Sequence, residues 1–449
     1  MKKIFQYIML AVVTIVMASC TSDIEETTAT TGKNNVQLVV GEFPAFGDSQ
    51  TRAIGTPDEG KTSWAVGDEL ILEIANTSYG RHSATFTYNG KSWELTSGEL
   101  VYLEGDPAYI PHVYYAPNYK WEAGELVLKK GKAAGTDECI EGNARITGNG
   151  ETITVSFAEA TRKYSRLRIA TLPNEQITVD TEYFTPAGSS DMEQNGNYTL
   201  TSDEKGNAYL YGTFENNSEV TVKYREAALT TYTFSQATEN AKSYALDATV
   251  ISANSAEEIK SAIEQKVADG KTTIRLNLAP NAGTNEFMAI REAIKGAAPN
   301  DLGTIELTII GVETIPEEAF YKMLQLKSVR MSDVKEIKKY AFKECQYLTV
   351  VEAPSLNKLY SGAFKKCDQL SKLTFGPINY ADERNWPIFE YITPNIDLIL
   401  SDYQKEMIET DSYLYTANND RDYAGSDEHN SKNFLGREFK SITCRYPVE

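Results

Sequence analysis

The sequence is poor in the residues that most often carry catalysis or bind metals. Its 449 residues include three histidines and five cysteines. His82, His112 and His429 are far apart in the sequence, and neither they nor the cysteines have metal-ligand spacing. Motifs of a nucleophile elbow, of a zinc-protease helix and of a phosphate-binding glycine loop are missing. The sequence therefore predicts no enzyme, no cofactor and no metal.

Positive charge is the second shortage. Lysine and arginine number 44 against 63 aspartates and glutamates, which gives a formal net charge of −19. A surface this acidic disfavours nucleic acid and is not drawn to anionic lipid by charge. We therefore expect no nucleic-acid partner, and contact with a membrane only through an anchor.

The first 20 residues have the pattern of an export signal. Lys2-Lys3 precedes an apolar run from Ile4 to Ala18, which is too short and wrongly flanked for a membrane span. Met17-Ala18-Ser19-Cys20 resembles a bacterial lipobox, which implies cleavage before Cys20 and lipidation of Cys20. A chance cysteine at an ordinary cleavage site is the alternative. Residues 1–19 are interpreted as a lipoprotein signal peptide.

Residues 20–35 are polar and threonine-rich, which predicts a tether. Their acidic cluster Asp23, Glu25 and Glu26 is similar to signals that send lipoproteins to the outer face of the outer membrane. The predicted location is therefore the outer membrane, with the protein lipid-anchored and exposed on the cell surface.

Residues 36–250 predict an all-β region. Short segments rich in β-branched and aromatic residues recur between turn residues, beginning at Val36–Val40 and including Glu69–Ile74 and Thr152–Phe157. This stretch is long for one sandwich, so we predict two in tandem, at 36–145 and 146–250.

Several short motifs in this region resemble the fimbrillin-like lipoproteins. They are Thr51-Arg52-Ala53, the run Trp64–Asp68, and Phe157 followed by Tyr164–Arg168. The resemblance implies tandem β-sandwiches. In some members, cleavage after an arginine removes the first strand, and a donor strand from the next subunit replaces it. Arg52 is the candidate for such processing here, and an ordinary loop arginine is the alternative.

From Val312 to Phe375 the sequence repeats every 22 residues. Ala-Phe recurs at Ala319-Phe320, Ala341-Phe342 and Ala363-Phe364. Six further columns are apolar in the same register: Val312, Val334 and Leu356; Ile315, Ile337 and Leu359; Met323, Cys345 and Cys367; Leu326, Leu348 and Leu370; Val329, Val351 and Leu373; Met331, Ala353 and Phe375. A sustained period of about 20 to 30 residues is typical of a solenoid.

The motif from Ile337 to Leu348 resembles the BspA-like branch of the leucine-rich repeats. That resemblance implies a surface or secreted bacterial protein that binds a partner. Helix-strand patterns from Ser255 predict two helical repeats before it, and a degraded fourth repeat with Trp386 in the Phe column, then a closing cap, after it. Residues 251–449 are therefore predicted to be an α/β leucine-rich repeat solenoid.

Two local questions stay open in this domain. Cys345 and Cys367 share a column, so they are either buried thiols or, less favoured, a disulfide between rungs. The loop at 418–431 has spaced aspartates like a calcium loop, but Ser431 stands where a bidentate glutamate belongs, which favours a solvated loop.

The pleat of the repeat strands predicts a binding face. Residues between the inward apolar positions should point outward, and few of them are acidic. They form a candidate binding strip: Lys327, Ser328, Arg330, Thr349, Val350, Glu352, Ser371, Lys372 and Thr374.

Together these features predict an adhesion or protein-interaction protein with the repeats carried on a β-sandwich stalk. Its partner would be a host, bacterial or matrix surface protein, or a glycan. One alternative is a pilus tip or anchor subunit assembled by donor-strand exchange. Another is a carbohydrate-binding accessory protein, suggested by the 27 tyrosines.

Overall fold

The computed structural model describes residues 26–28, 37–48, 61–77, 80–99, 108–147, 152–157, 162–253, 255–382, 387–401, 433–435 and 437–445. Within these ranges the chain is mostly β-strand, with two helices. It divides into two compact units, Met1–Val222 with Thr230–Ala248 and Lys223–Leu229 with Thr249–Glu449. Neither described helix is long and apolar enough to cross a membrane.

Nineteen described strands precede residue 248. They are β1 (Glu26–Thr28), β2 (Gln37–Val40), β3 (Gly47–Asp48), β4 (Glu69–Asn76), β5 (Gly80–Tyr88), β6 (Trp93–Gly98), β7 (Ala108–Tyr115), β8 (Tyr119–Glu122), β9 (Glu125–Leu128), β10 (Ile140–Glu141), β11 (Asn143–Thr147), β12 (Thr152–Ser156), β13 (Ser165–Ala170), β14 (Gln176–Pro186), β15 (Glu193–Thr201), β16 (Asn207–Phe214), β17 (Glu219–Tyr224), β18 (Ala227–Thr233) and β19 (Lys242–Asp247).

Most of these strands lie in three sheets. A four-stranded sheet has the order β1-β2-β12-β11, and a five-stranded sheet has the order β10-β7-β4-β5-β6. An eight-stranded sheet runs β18-β17-β14-β16-β13-β19-β3, with β15 paired to β14. No helix occurs among the described residues up to 248, in agreement with the predicted all-β region. Assignment to tandem fimbrillin-like sandwiches stays a prediction.

The core of this region forms where strand alternation turns apolar side chains to one side. In β4 the side chains of Leu70, Leu72 and Ile74 are buried, and they join a cluster that includes Phe86 and Trp93. Large aromatic residues contribute most of the area such cores bury.

The predicted domain boundary at residues 145 and 146 falls inside β11. Beyond it, β12 pairs in parallel with β2, so that Ile153 lies opposite Leu38. Strands on the two sides of that boundary are therefore hydrogen-bonded neighbours in one sheet. The predicted tether also includes β1, which pairs antiparallel with β2. The domain limits themselves stay predictions.

The second unit contains both helices, α1 (Ala256–Ala268) and α2 (Thr284–Ala297). Its strands are β20 (Ile251–Ala253), β21 (Thr273–Leu278), β22 (Ile305–Ile310), β23 (Thr314–Ile315), β24 (Leu326–Arg330), β25 (Glu336–Ile337), β26 (Val350–Ala353), β27 (Lys358–Tyr360), β28 (Lys372–Phe375), β29 (Tyr380–Asp382), β30 (Asp397–Ser401), β31 (Asn433–Phe434), β32 (Arg437–Glu438) and β33 (Ser441–Arg445).

Two parallel sheets run along this unit. The main sheet has eight strands in the order β20-β21-β22-β24-β26-β28-β30-β33, and the second has the order β23-β25-β27-β29. Each 22-residue repeat supplies one strand to each sheet, and hydrogen bonds join it to the same strands of the next repeat. The repeats therefore stack as rungs, as the period predicts.

Both helices lie where the sequence predicts them. The Ser255 hydroxyl accepts a hydrogen bond from the Glu258 N–H at 3.2 Å, and Gly270 follows the last turn of α1 with φ of 73°. The Glu286 carboxylate accepts from the Gly283 N–H at 2.8 Å at the start of α2. In the described 22-residue repeats turns take the place of helices, so the predicted α/β solenoid is not confirmed.

The repeat core is a column of phenylalanines. Phe320 and Phe342 have ring centroids 5.1 Å apart, and Phe342 and Phe364 have them 5.4 Å apart with nearly parallel planes. All three side chains are fully buried. Each ring therefore packs against the next rung.

The next ring in this column is Phe389, whose centroid lies 5.7 Å from that of Phe364. The Phe364 N–H donates to the Ile388 carbonyl, just as the Phe342 N–H donates to the Ala363 carbonyl. The prediction that placed Trp386 in the Phe column is wrong, because the fourth repeat has three extra residues before its phenylalanine. Trp386 itself lies outside the described residues.

Candidate interaction surface

The main sheet separates inward from outward side chains in every repeat. Leu326, Val329 and Met331 are fully buried in the first 22-residue repeat, and the equivalent residues of the next two repeats are buried as well. The residues between them are exposed or half-buried. Burial of the apolar set fixes the register of each strand, because a slip of one residue would expose it.

The nine residues of the predicted binding strip lie together on this sheet, and we call them the sheet face. Register places Ser328, Val350 and Lys372 in one row across β24, β26 and β28. Arg330, Glu352 and Thr374 form the adjacent row. A set chosen from three separate stretches of sequence is thus one continuous surface.

The basic side chains of the sheet face have acidic partners. Lys327 Nζ lies 2.7 Å from the Glu306 carboxylate on the preceding strand. Arg330 Nε lies 2.9 Å from Glu352, and Lys372 Nζ lies 3.6 Å from the same carboxylate. Exposed pairs of this kind stabilise by about 0–1 kcal/mol each, so their main effect is to orient side chains and reduce the local positive charge.

Two hydroxyls of the sheet face hold successive rungs together. The Thr349 hydroxyl donates to the Lys327 carbonyl at 2.8 Å, and the Ser371 hydroxyl donates to the Thr349 carbonyl at 3.1 Å. These hydrogen bonds fix the spacing of the backbone on adjacent rungs. The surface above them carries both positive and negative side chains. Such a surface can recognise a partner by polar contacts with little loss of conformational entropy.

Cys345 and Cys367, which occupy the same repeat column, are buried thiols without a disulfide. Each thiol donates to a carbonyl of the preceding rung, Cys345 to Phe320 and Cys367 to Phe342, both at 3.0 Å. Burial raises the pKa of Cys345 to about 12 and the pKa of Cys367 well above its usual value. Both sulfurs therefore keep their protons and serve the core.

Other predicted sites fall outside the described residues. These are the lipidation site Cys20, the processing site Arg52 and the acidic loop at 418–431. In the part of the chain that the structure describes, no group of three or more His, Cys, Asp or Glu side chains is placed to hold a metal ion. The absence of catalysis stays a prediction.

The acidic partners of the sheet face were not predicted from the sequence. Glu306 lies on β22, before the first 22-residue repeat. Glu352 belongs to the predicted binding strip, but its contacts with both Arg330 and Lys372 were not predicted. The available signal was the period itself, because residues 22 apart are neighbours on adjacent rungs. The same 22-residue spacing relates residues on the turn segments of the repeats, none of which belongs to the sheet face.

Comparison with known proteins identifies the type of repeat. The family described as BspA type leucine rich repeat region (6 copies) matches residues 302–408. Among solved structures, the crystal structure of a leucine-rich repeat protein from T. pallidum matches with 18% sequence identity and a TM-score of 0.18, covering 21% of this chain. The chain spans 58% of that protein's length. No curated protein matches the chain. The family match confirms a BspA-type leucine-rich repeat region at residues 302–408.

Proposed function

We propose that this chain is a lipid-anchored, non-enzymatic protein of the outer membrane that adheres to a surface partner through its leucine-rich repeats. The acyl chains on Cys20 hold it, the tether and the β-rich region act as a stalk, and the repeats contact a host, bacterial or matrix protein. BspA-type repeats are typically surface interaction modules, and the match at 302–408 supports this role.

The observation that carries this proposal is the sheet face. Its nine side chains lie in fixed rows on three adjacent parallel strands, outside a fully buried core. Cross-rung hydrogen bonds order these rows before any partner arrives, so binding costs little side-chain entropy. Mixed lysine, arginine, serine, threonine and glutamate side chains suit a polar protein surface.

The experiment is a triple charge reversal, Lys327→Glu, Arg330→Glu and Lys372→Glu, in cells that display the full chain. We expect adhesion to candidate host, bacterial or matrix surfaces to fall, because the reversals place like charges beside Glu306 and Glu352 and so disturb the ordered rows that the partner would contact. A control with Lys91, Lys130 and Lys132 changed to Glu alters net charge equally at exposed sites far along the chain. Equal adhesion of both variants would discard the sheet face.

The pilus alternative has one supporting observation. Segment 37–48, which cleavage at Arg52 would remove, is held tightly: Leu38 is fully buried and the Arg162 guanidinium donates to the Pro44 carbonyl at 2.9 Å. A subunit that lost this segment would need a replacement strand beside β12. The test is a ladder of polymers on a denaturing gel of unboiled cells, abolished by Arg52→Ala.

The carbohydrate-binding alternative rests on a group of stacked rings. Tyr114 and Trp121 have ring centroids 5.7 Å apart, and His112 lies 5.2 Å from Trp121. Aromatic platforms of this kind can stack on sugar rings. A glycan array with the chain from Thr21 onward tests it, and loss of signal in Trp121→Ala would support it.

A further inference from the structure

A lysine- and tyrosine-rich surface lies on the turn segments of the repeats, away from the rows of the sheet face. Lys339 and Lys343 lie over the Tyr340 ring, with ammonium-to-centroid distances of 4.8 Å and 4.7 Å. Lys343 also lies 5.0 Å from the centre of the Tyr321 ring, on the preceding rung. We call this surface the turn face: Tyr321, Lys322, Lys339, Tyr340, Lys343 and Lys366.

The local charge here is opposite to that of the chain. The turn face carries four lysines, and the carboxylate of Glu344 lies beside two of them, within a protein whose net charge is −19. The exposed Glu317 and Glu318 border the turn face on the first repeat. A compact group of lysines in an acidic protein concentrates the attraction of anions at one place.

Carboxylates neutralise only part of this charge. Lys322 and Lys366 share the single carboxylate of Glu344, at 3.4 Å and 3.9 Å. In the described part of the chain, Lys339 and Lys343 form no ion pair, and their ammonium groups lie over the Tyr340 ring. This differs from the sheet face, where each basic side chain meets a carboxylate.

The backbone holds the turn face at a fixed spacing. The Lys322 N–H donates to the Lys343 carbonyl at 2.9 Å, and the Glu344 N–H donates to the Lys365 carbonyl at 2.8 Å. Gly362 has φ of 64°, and a Cβ there would lie 2.5 Å from Tyr340 Cε1. The glycine therefore makes room for the ring on which both unpaired lysines rest.

We propose that the turn face binds a linear polysaccharide that carries carboxylate or sulfate groups. Rungs about 4.8 Å apart present cations in a row, which suits anionic groups strung along a polymer. The half-buried rings of Tyr321 and Tyr340 lie beneath these cations and hold them in place. Lysine is depleted at protein–protein interfaces, and four of the six residues of the turn face are lysines, so an anionic polymer suits this surface better than a protein does.

The experiment uses the chain from Thr21 onward, which retains all the described residues. The probes are immobilised heparin and hyaluronan, with neutral dextran, polyglutamate and duplex DNA as comparisons. We expect retention on the anionic polysaccharides alone, weakening as salt screens the charges. Lys339→Glu with Lys343→Glu should weaken binding by roughly tenfold or more, since each reversal replaces an attraction by a repulsion.

Two controls keep the result specific. Lys130→Glu with Lys132→Glu changes net charge equally at exposed sites and should leave retention unchanged, and so should the sheet-face triple reversal. Unchanged melting temperatures show that the variants are folded. Failure of the native chain to bind either polysaccharide would overturn the proposal. So would equal loss in the control, or stronger retention on polyglutamate or DNA, and none of these outcomes bears on adhesion through the sheet face.

Discussion

At the scale of single residues, Cys345 and Cys367 show that a repeat column can bury thiols, which would be reactive if they were exposed. Cys345 and Cys367 take the place that Met323 holds in the first repeat, and all three are fully buried. A cysteine is smaller than methionine, but its S–H can donate to the carbonyl of the rung before. The column therefore accepts either a thioether or a thiol, and the thiols fit without a disulfide.

We predict that Cys345 and Cys367 resist alkylation by iodoacetamide at pH 8 in the folded chain. Burial raises the pKa of Cys345 to about 12, so almost no thiolate is present. Since the folded state favours the protonated thiol, this stabilisation is complete below the unfolded pKa near 9 and is lost as pH rises through about 12. Peptide mass spectrometry measures the reaction, with the chain in denaturant as the fully reactive reference. Rapid labelling of either thiol without denaturant would contradict the burial.

A second residue-scale prediction concerns the buried ion pair of Arg162 and Glu138, whose side chains are 0% and 1% exposed. Burial alone would lower the pKa of Arg162, but the adjacent Glu138 carboxylate outweighs it and raises that pKa. Arg162→Met should destabilise by about 3–5 kcal/mol, because it leaves a buried carboxylate without its partner.

The neighbouring Lys163 supplies a matched control, since it pairs with Glu141 but is 77% exposed. Lys163→Met should change stability by at most about 1 kcal/mol. Urea unfolding followed by tryptophan fluorescence measures both variants. Similar midpoints for the two would mean that the Arg162 pair is not a structural centre of this region.

At the scale of elements, one phenylalanine per rung links each repeat to the next. Phe342→Ala should destabilise the repeats by about 3–5 kcal/mol, through lost burial and the cavity left between Phe320 and Phe364. Gln346→Ala, at an exposed position of the same repeat, should stay within about 0.5 kcal/mol of the parent. Thermal and urea unfolding by circular dichroism compare them. A mild effect of Phe342→Ala would mean that the rungs do not depend on the ring stack.

The stacked repeats were predictable because every 22-residue copy packs against the same neighbours, so the same apolar pattern recurs in the sequence. The fourth repeat was misaligned because three extra residues shift Phe389 past the position of Trp386, and only stacking on Phe364 reveals this. Ion pairs across rungs were missed for a related reason. Each lies between residues on different strands, as with Lys327 and Glu306, and becomes visible only when register is applied column by column.

The β-rich region was harder to predict because its pairings are not local. β12 lies beside β2 across more than a hundred residues, and the parallel register of Ile153 with Leu38 has no counterpart in any short motif. Alternation of apolar residues indicated strands but not their partners. For that reason the predicted limit at residues 145 and 146 divides a strand that the sheet keeps whole.

At the scale of the whole molecule, the sheet face and the turn face, for which we propose separate partners, belong to one unit, and the pairing of their charged side chains differs. On the sheet face the cations are paired within the protein, which favours a partner that reads shape and hydrogen bonds. On the turn face Lys339 and Lys343 remain available for anions. A surface protein with both could hold an anionic polysaccharide layer while it adheres to a protein beneath or beyond that layer.

Such a role requires the chain to stay on the cell, which makes Cys20 the residue to test. Cys20→Ala removes the lipidation site and should shift the protein from the detergent phase to the aqueous phase. Each buried methylene of an acyl chain contributes about 0.8 kcal/mol to membrane binding, and this contribution is lost with the chains. Cys444→Ala removes a cysteine elsewhere and should leave partitioning unchanged. Protease accessibility on intact cells then reports exposure on the surface. A Cys20→Ala chain that remained in the detergent phase would show that something other than acyl chains holds the protein, and the stalk arrangement would have to be abandoned.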